Sequence, residues 1–216
     1  MPPIPQNVDL GAKLEKCECE LRAAMLALAK TEADLRAARD QVAVARDSAL
    51  HDPLTRLANR ELFDEKLASA IAIASRRNWS LAVAFLDLDF FKAVNDAYGH
   101  AVGDIALRET ARRLMQCCRK QDTVCRNGGD EFLYLLVDPQ SRDNIEQVLL
   151  RATACVGCPL EVNGCHVTIS MSAGVAIFPQ DGSTGERLIQ NADSAMYQAK
   201  ARKSGWCFFG EPISTP

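Results

Sequence analysis

The sequence predicts an α+β sandwich, a central and mostly antiparallel sheet flanked by helices, with a long coiled-coil helix in front of it. Three observations predict this. Leu14, Leu21, Leu28, Leu35 and Val42 recur every seventh residue, and Ala49 extends the series. Such a repeat, held over about five heptads, is the signature of a helix that pairs with another helix. After His51-Asp52-Pro53 the chain switches to short apolar runs interleaved with helical patterns, in an irregular order that does not fit a regular βαβ alternation. Finally, Gly128-Gly129 joins two strand-like runs as a hairpin.

The elements follow in order. Residues 1–10 are expected to be disordered, and residues 11–50 to form the coiled-coil helix and the site of dimerisation. If the leucines occupy position a, then Cys17, Ala24, Thr31, Ala38 and Ala45 occupy position d, so the seam is thin. Pro53 ends the helix, because the residue before a proline is pushed out of helical geometry. Asn59 to Arg76 reads as a helix with Leu62, Phe63, Leu67, Ala70 and Ile71 on one face. Leu81 to Leu86 is a buried strand, Phe91 to Tyr98 a short helix and Val102 to Cys118 a longer one. Asp122–Arg126 and Glu131–Val137 are the arms of the hairpin. Asn144 to Ala154 is helical, Glu161 to Cys165 a turn, Val167 to Ile177 a strand, Leu188 to Arg202 a helix, and Trp206–Phe209 a last strand. The compact domain thus runs over residues 51–210, and 211–216 is a tail.

Composition narrows the function classes. The chain has 216 residues, is 48% hydrophobic and carries a formal net charge of −3. That mild acidity argues against broad nucleic-acid binding, which favours a basic surface. No apolar run approaches the roughly 20 residues of a membrane span, and the N-terminus lacks a secretory pattern. A cytoplasmic location is therefore expected. Nine cysteines show no framework-like spacing. Cys155, Cys158, Cys165 and His166 resemble a zinc site only faintly, since the second pair is adjacent rather than well spaced. Reduced thiols, several packed in the core, are the preferred reading.

Two segments carry the chemistry. Asp87 and Asp89 stand two apart at the end of an apolar strand that leads into a helix, a placement expected to point both to one face. Paired carboxylates there suit a hard cation such as Mg²⁺, while the first turn of the helix offers free N–H groups to phosphate and Lys92 adds charge. An Asp capping the helix explains the segment as well. The hairpin shifts the balance. Gly128-Gly129 allows close backbone approach of a ligand, and Asp130-Glu131 follow at once, where they would complete a metal site.

Five segments, in order, resemble the GGDEF family of diguanylate cyclases: Asp52-Pro-Leu-Thr-Arg-Leu-Ala-Asn-Arg60, Phe85 to His100, Arg126-Asn-Gly-Gly-Asp-Glu-Phe132, Ser172-Ala-Gly-Val-Ala176 and Asn191 to Lys200. The resemblance implies a GGDEF-type sandwich, similar to nucleotidyl cyclase catalytic domains, that condenses two GTP into cyclic di-GMP and pyrophosphate. It implies metal ligands at Asp87, Asp130 and the carbonyl of Leu88, with Mg²⁺ as the ion and Mn²⁺ as the alternative, and catalytic roles for Asp130 and Glu131. Asn95 and Asp104 match the guanine-recognising pair. Phe90, Phe91, Lys92 and Lys200 match groups around the triphosphate, with Gly128 and Gly129 at the substrate. Arg119 and Asp122 match an inhibitory Arg-x-x-Asp motif that binds the product. Two subunits must face each other to react, so a homodimer through residues 11–50 and the catalytic domain is expected. Neither a nucleic acid nor a membrane is expected as a partner.

Three departures from the family stand out. Arg56 replaces a glycine, Asn127 replaces an apolar or aromatic residue, and a Gly-Arg-Asn after the phosphate-binding lysine is missing from Lys200-Ala-Arg-Lys-Ser-Gly-Trp206. The second phosphate-binding cation therefore has no assigned residue, with Arg202 and Lys203 as substitutes. Two other readings remain: a non-catalytic module that binds cyclic di-GMP or GTP and signals through a partner, and a scaffold dimerised through residues 11–50. The scaffold leaves the clustered acids unexplained.

Overall fold

The computed structural model of the protein describes residues 8–162 and 164–211. The chain divides into two units, residues 1–49 and 50–216. In the first, helix α1 runs from Val8 to Leu50. Leu14, Leu21, Leu28, Leu35 and Val42 are 50–67% exposed along it. Of residues 1–10, expected to be disordered, 8–10 are instead the start of α1; residues 1–7, and all of the expected tail 211–216 but Glu211, lie outside the described residues.

The second unit is the α+β sandwich. Its central sheet has the order β2-β3-β1-β6-β7, built from β1 (Leu81–Leu88), β2 (Thr123–Gly128), β3 (Glu131–Val137), β6 (Met171–Phe178) and β7 (Trp206–Phe208). Only the β6–β7 pair is parallel; the others are antiparallel. A separate hairpin pairs β4 (Leu160–Val162) with β5 (Cys165–Val167). The expected turn at 161–165 is thus the tip of a small ribbon, and the strand expected from 167 to 177 is two strands. Gly164, at φ 80°, lies at that tip, a conformation glycine adopts without strain.

The apolar residues of β1 explain its central place. All but Asp87 are buried, because both faces of the strand are covered. One face meets α4 (His100–Cys117) and α5 (Arg142–Val156) in a core that holds Leu86, Leu107, Leu114, Tyr134 and Leu149. The other meets α2 (Arg60–Arg77) and α6 (Gly185–Arg202) through Phe63, Leu67, Val83, Leu133 and Leu188. Asn59 caps α2 by accepting from the Leu62 amide at 3.0 Å. Thr184 caps α6 in the same way, through the Arg187 amide at 3.2 Å. At Gly174 in β6, a Cβ would stand 1.9 Å from the Met196 nitrogen and 2.0 Å from the Ala192 oxygen, so α6 rests its backbone directly on the strand.

Candidate active site

The site forms where β1 runs out beside the β2–β3 hairpin. In the ladder Asp87 stands opposite Glu131 on one side and Ser172 on the other. Directly opposed residues share a face, so the Asp87 and Glu131 carboxylates are brought together although like charges in that relation repel. Asp130 occupies the two-residue loop with Gly129, and its carbonyl accepts from the Leu88 amide at 3.2 Å. That bond ties the hairpin tip to the end of β1. Gly128 (φ 140°) and Gly129 (φ 53°) make the turn, and a Cβ on either would meet nothing within 4 Å. The tip is therefore open to a ligand.

Lys200, from the last turn of α6, places its Nζ 2.5 Å from Asp87 Oδ1. Burial holds the Asp87 carboxyl above its usual range; Lys200 pulls it down, and the charges of Asp130 and Glu131 push it up again. Among the described residues no three His, Cys, Asp or Glu side chains close into a metal cage. The arrangement nonetheless fits a hard divalent cation. Half-buried carboxylates of like charge converge from two strands, and Mg²⁺ is commonly held by one or two carboxylates with phosphate and water completing its shell.

Asp89 lies past the ladder that sets Asp87 against Glu131, yet it keeps to the face of Asp87 as expected, because Ser172, directly opposite Asp87, donates its hydroxyl to it. It sits beyond the end of β1, where its Oδ2 accepts from the Ser170 hydroxyl and its Oδ1 from the Ser172 hydroxyl, both at 2.8 Å. It does not cap α3 (Phe91–Tyr98) either: Phe90 holds that place, at φ 58°, with no side-chain cap. Phe91 is a core residue, 8% exposed, so only its backbone faces the site. Phe90 is 83% exposed, and Lys92 is exposed too. The first-turn amides of Phe91 and Lys92 have no acceptor within the helix.

Asn95 and Asp104 belong to α3 and α4, which pack on each other. A Cβ at Gly103 would stand 1.9 Å from Asn95 Oδ1, so only glycine lets the Asn95 amide lie over α4 where it does. Arg119 and Asp122 stand apart, at the far end of β2 from the glycines, about 20 Å away at strand rise. Asp122 is 9% exposed. Its oxygens accept from the amides of Val137 at 3.0 Å and Arg119 at 3.2 Å, and burial raises its carboxyl against those bonds.

Two groups of residues beside the site were not expected from the sequence. Asn127 falls at the bulge between Arg126 and Gly128, which frees its side chain from the ladder pattern. Its Nδ2 donates to Glu131 Oε2 at 2.8 Å, and its Oδ1 accepts from Arg60 Nη1 at 2.9 Å. The residue that departs from the family thus holds an acid of the hairpin. Arg126 donates to the Gly129 carbonyl at 2.8 and 3.0 Å and to Asp52 at 3.1 Å. Burial raises the Asp52 carboxyl, but bonds from Thr55 and the Arg126 charge outweigh it and hold it below the usual range. Asn127 and Arg126 flank the motif in sequence, and that adjacency was the one available signal.

Residues 49–205 match the family described as diguanylate cyclase, GGDEF domain. The chain belongs to this family. It is 46% identical over 162 residues to the bifunctional diguanylate cyclase/cyclic di-GMP phosphodiesterase MucR of Pseudomonas aeruginosa, covering 74% of this chain and 24% of that protein. It is 38% identical over 168 residues to the diguanylate cyclase TpbB of the same species, covering 77% of this chain and 39% of that protein. The chain therefore spans about a quarter to two-fifths of these relatives. Among solved structures, the coiled coil and GGDEF domain of DgcB from Caulobacter crescentus, in complex with c-di-GMP, superposes with a TM-score of 0.77 at 27% identity, over 84% of this chain and 96% of that one. The α+β GGDEF fold expected from the sequence is thereby established. Among the described residues, no helix is long and apolar enough to cross a membrane.

Proposed function

We propose that this GGDEF domain is an active diguanylate cyclase that condenses two GTP into cyclic di-GMP and two pyrophosphates. The observation that carries the reading is the convergence of Asp87, Glu131 and Asp130 beside the Lys200 ammonium. Asp87, Asp130 and the Leu88 carbonyl would hold Mg²⁺, or Mn²⁺ in its place. The ion supplies charge neutralisation and Lewis acidity at the phosphates. Guanine is recognised by the Asn95 amide and the Asp104 carboxylate, which match its acceptor and N–H donors. The phosphates lie at the head of α3, against the amides of Phe91 and Lys92. In each half-reaction a ribose 3′-OH attacks the α-phosphate of the opposing GTP; the new P–O bond forms as the bond to pyrophosphate breaks, and the proton passes to Glu131. The protein works mainly by positioning and electrostatics.

One domain carries one half-site, so two copies must face each other, and α1 is the element that would hold them together. Product binding is assigned to the exposed Arg119 with Asp122, whose two amide bonds leave each oxygen a second acceptor direction. Purified protein incubated with GTP and Mg²⁺, products resolved by chromatography, tests the whole reading. Cyclic di-GMP is expected from the wild type and not from Asp130→Ala. No product at high protein concentration, with cyclic di-GMP still bound, would establish the non-catalytic module instead.

A further inference from the structure

We infer that Lys203 is the second cation of the triphosphate site, in place of the arginine that the family carries and this chain lacks; the inference rests on the cyclase reading above. A cavity of about 620 Å³ opens between the head of α3 and the end of α6, lined by Asp89, Phe90, Lys200, Lys203 and Gly205 among others. Two lysines three residues apart on one helix end share it, and residues at that spacing are neighbours. The carboxylate in its wall, Asp89, is occupied by the Ser170 and Ser172 hydroxyls. Lys200 is engaged by Asp87, whereas the ammonium of Lys203 has no ion-pair partner among the described residues. A magnesium-bound triphosphate still carries about two negative charges near neutral pH, so one shared lysine leaves charge to be met in the cavity.

Arg202, the other substitute, is turned elsewhere. Its Nη2 donates to Gln198 Oε1 at 3.4 Å and its Nη1 to Cys207 Sγ at 3.6 Å, on the side of the last strand. It does not line the cavity. Ser204, the next residue, donates its hydroxyl to the Trp206 carbonyl at 3.0 Å. The backbone gives an independent indication. Lys203 caps α6 at φ 55° and ψ 35°, a left-handed conformation that glycine adopts freely and a lysine holds only with strain. A side chain kept where the backbone disfavours it is a mark of function when it faces a ligand cavity.

The test compares Lys203→Gly, Lys203→Arg and Arg202→Ala with the wild type. Inorganic tripolyphosphate and guanosine are titrated separately by calorimetry, with Mg²⁺ present, and KM and kcat for GTP are measured beside them. Lys203→Gly is expected to weaken tripolyphosphate and raise the KM for GTP about tenfold, the loss of one charge-assisted contact. Guanosine binding, kcat and thermal midpoint are expected to stay at or above wild type, since glycine relieves the strained cap. Lys203→Arg restores binding to within about threefold, and Arg202→Ala changes nothing. Wild-type tripolyphosphate affinity in Lys203→Gly, or the loss appearing in Arg202→Ala instead, overturns the assignment. Tripolyphosphate binding needs no turnover, so a chain that makes no cyclic di-GMP still decides the role of Lys203.

Discussion

Helix α1 and the domain after it put the same apolar residues to opposite uses. In α1, Leu14, Leu21, Leu28 and Leu35 are at least half exposed, whereas Leu81, Leu114, Leu133 and Leu149 in the domain are fully buried. The domain closes its core within one chain. The stripe of α1 has to be covered by something else, because an exposed apolar seam repeated every seven residues is a pairing surface. Stability of the domain should therefore be separable from α1, and activity that needs two half-sites should not.

The largest effect that could break this comparison is a cavity in the core. Leu133→Ala should destabilise the domain by about 2–5 kcal/mol, seen as a lower midpoint in urea. Leu28→Ala should leave that midpoint where it is; a comparable loss from both would mean that α1 belongs to the domain's cooperative unit. Next comes removal of residues 1–49. The shortened chain should stay folded, yet form cyclic di-GMP about 100-fold more slowly at low protein concentration, because the tether that raises effective concentration is gone. Full activity of the shortened chain when dilute would remove α1 from the reaction.

Within the domain, Asn127→Leu should lower kcat about tenfold at unchanged thermal midpoint, with Asn127→Gln restoring part of it, because the donor that orients Glu131 is lost. An unchanged rate would show that Glu131 needs no such support. The smallest effect concerns acid. Hydrogen bonds from Arg112 and Arg113 outweigh burial and lower the Glu109 carboxyl to about 2. A depressed carboxyl contributes stability that is present above its unfolded value near 4.5 and lost as pH falls through about 2. Glu109→Gln should flatten the pH dependence of stability across that window. The exposed Lys16–Glu20 pair of α1, 4.0 Å apart, should contribute nothing measurable there.

Much of the fold was legible because its strongest signals are local. The apolar run of β1, the Gly128-Gly129 turn and the heptads of α1 each announce an element within a few residues. The β4–β5 ribbon was not, since three-residue strands with Glu161, Cys165 and His166 exposed carry no apolar alternation. In the site, the acids were legible as residues but their relations were not. Asp89 keeps to the face of Asp87, as the alternation predicts, but nothing local foretold that the hydroxyls of Ser170 and Ser172, some eighty residues on, would occupy it. The Asn127–Arg60 bond and the Lys200–Asp87 pair join distant segments, and no periodicity in one segment foretells which charge another will meet.

Gly174 carries a consequence for the far end of α6. With no side chain between helix and strand, the helix is seated directly on the sheet at its middle, and its C-terminal lysines project beyond that seat like the tip of a cantilever. A methyl group at Gly174 would act as a shim under the beam. Displacement of about 1 Å at a reacting centre is enough to cost on the order of 100-fold in rate, so Gly174 sets the gauge of a site whose substrate it never touches.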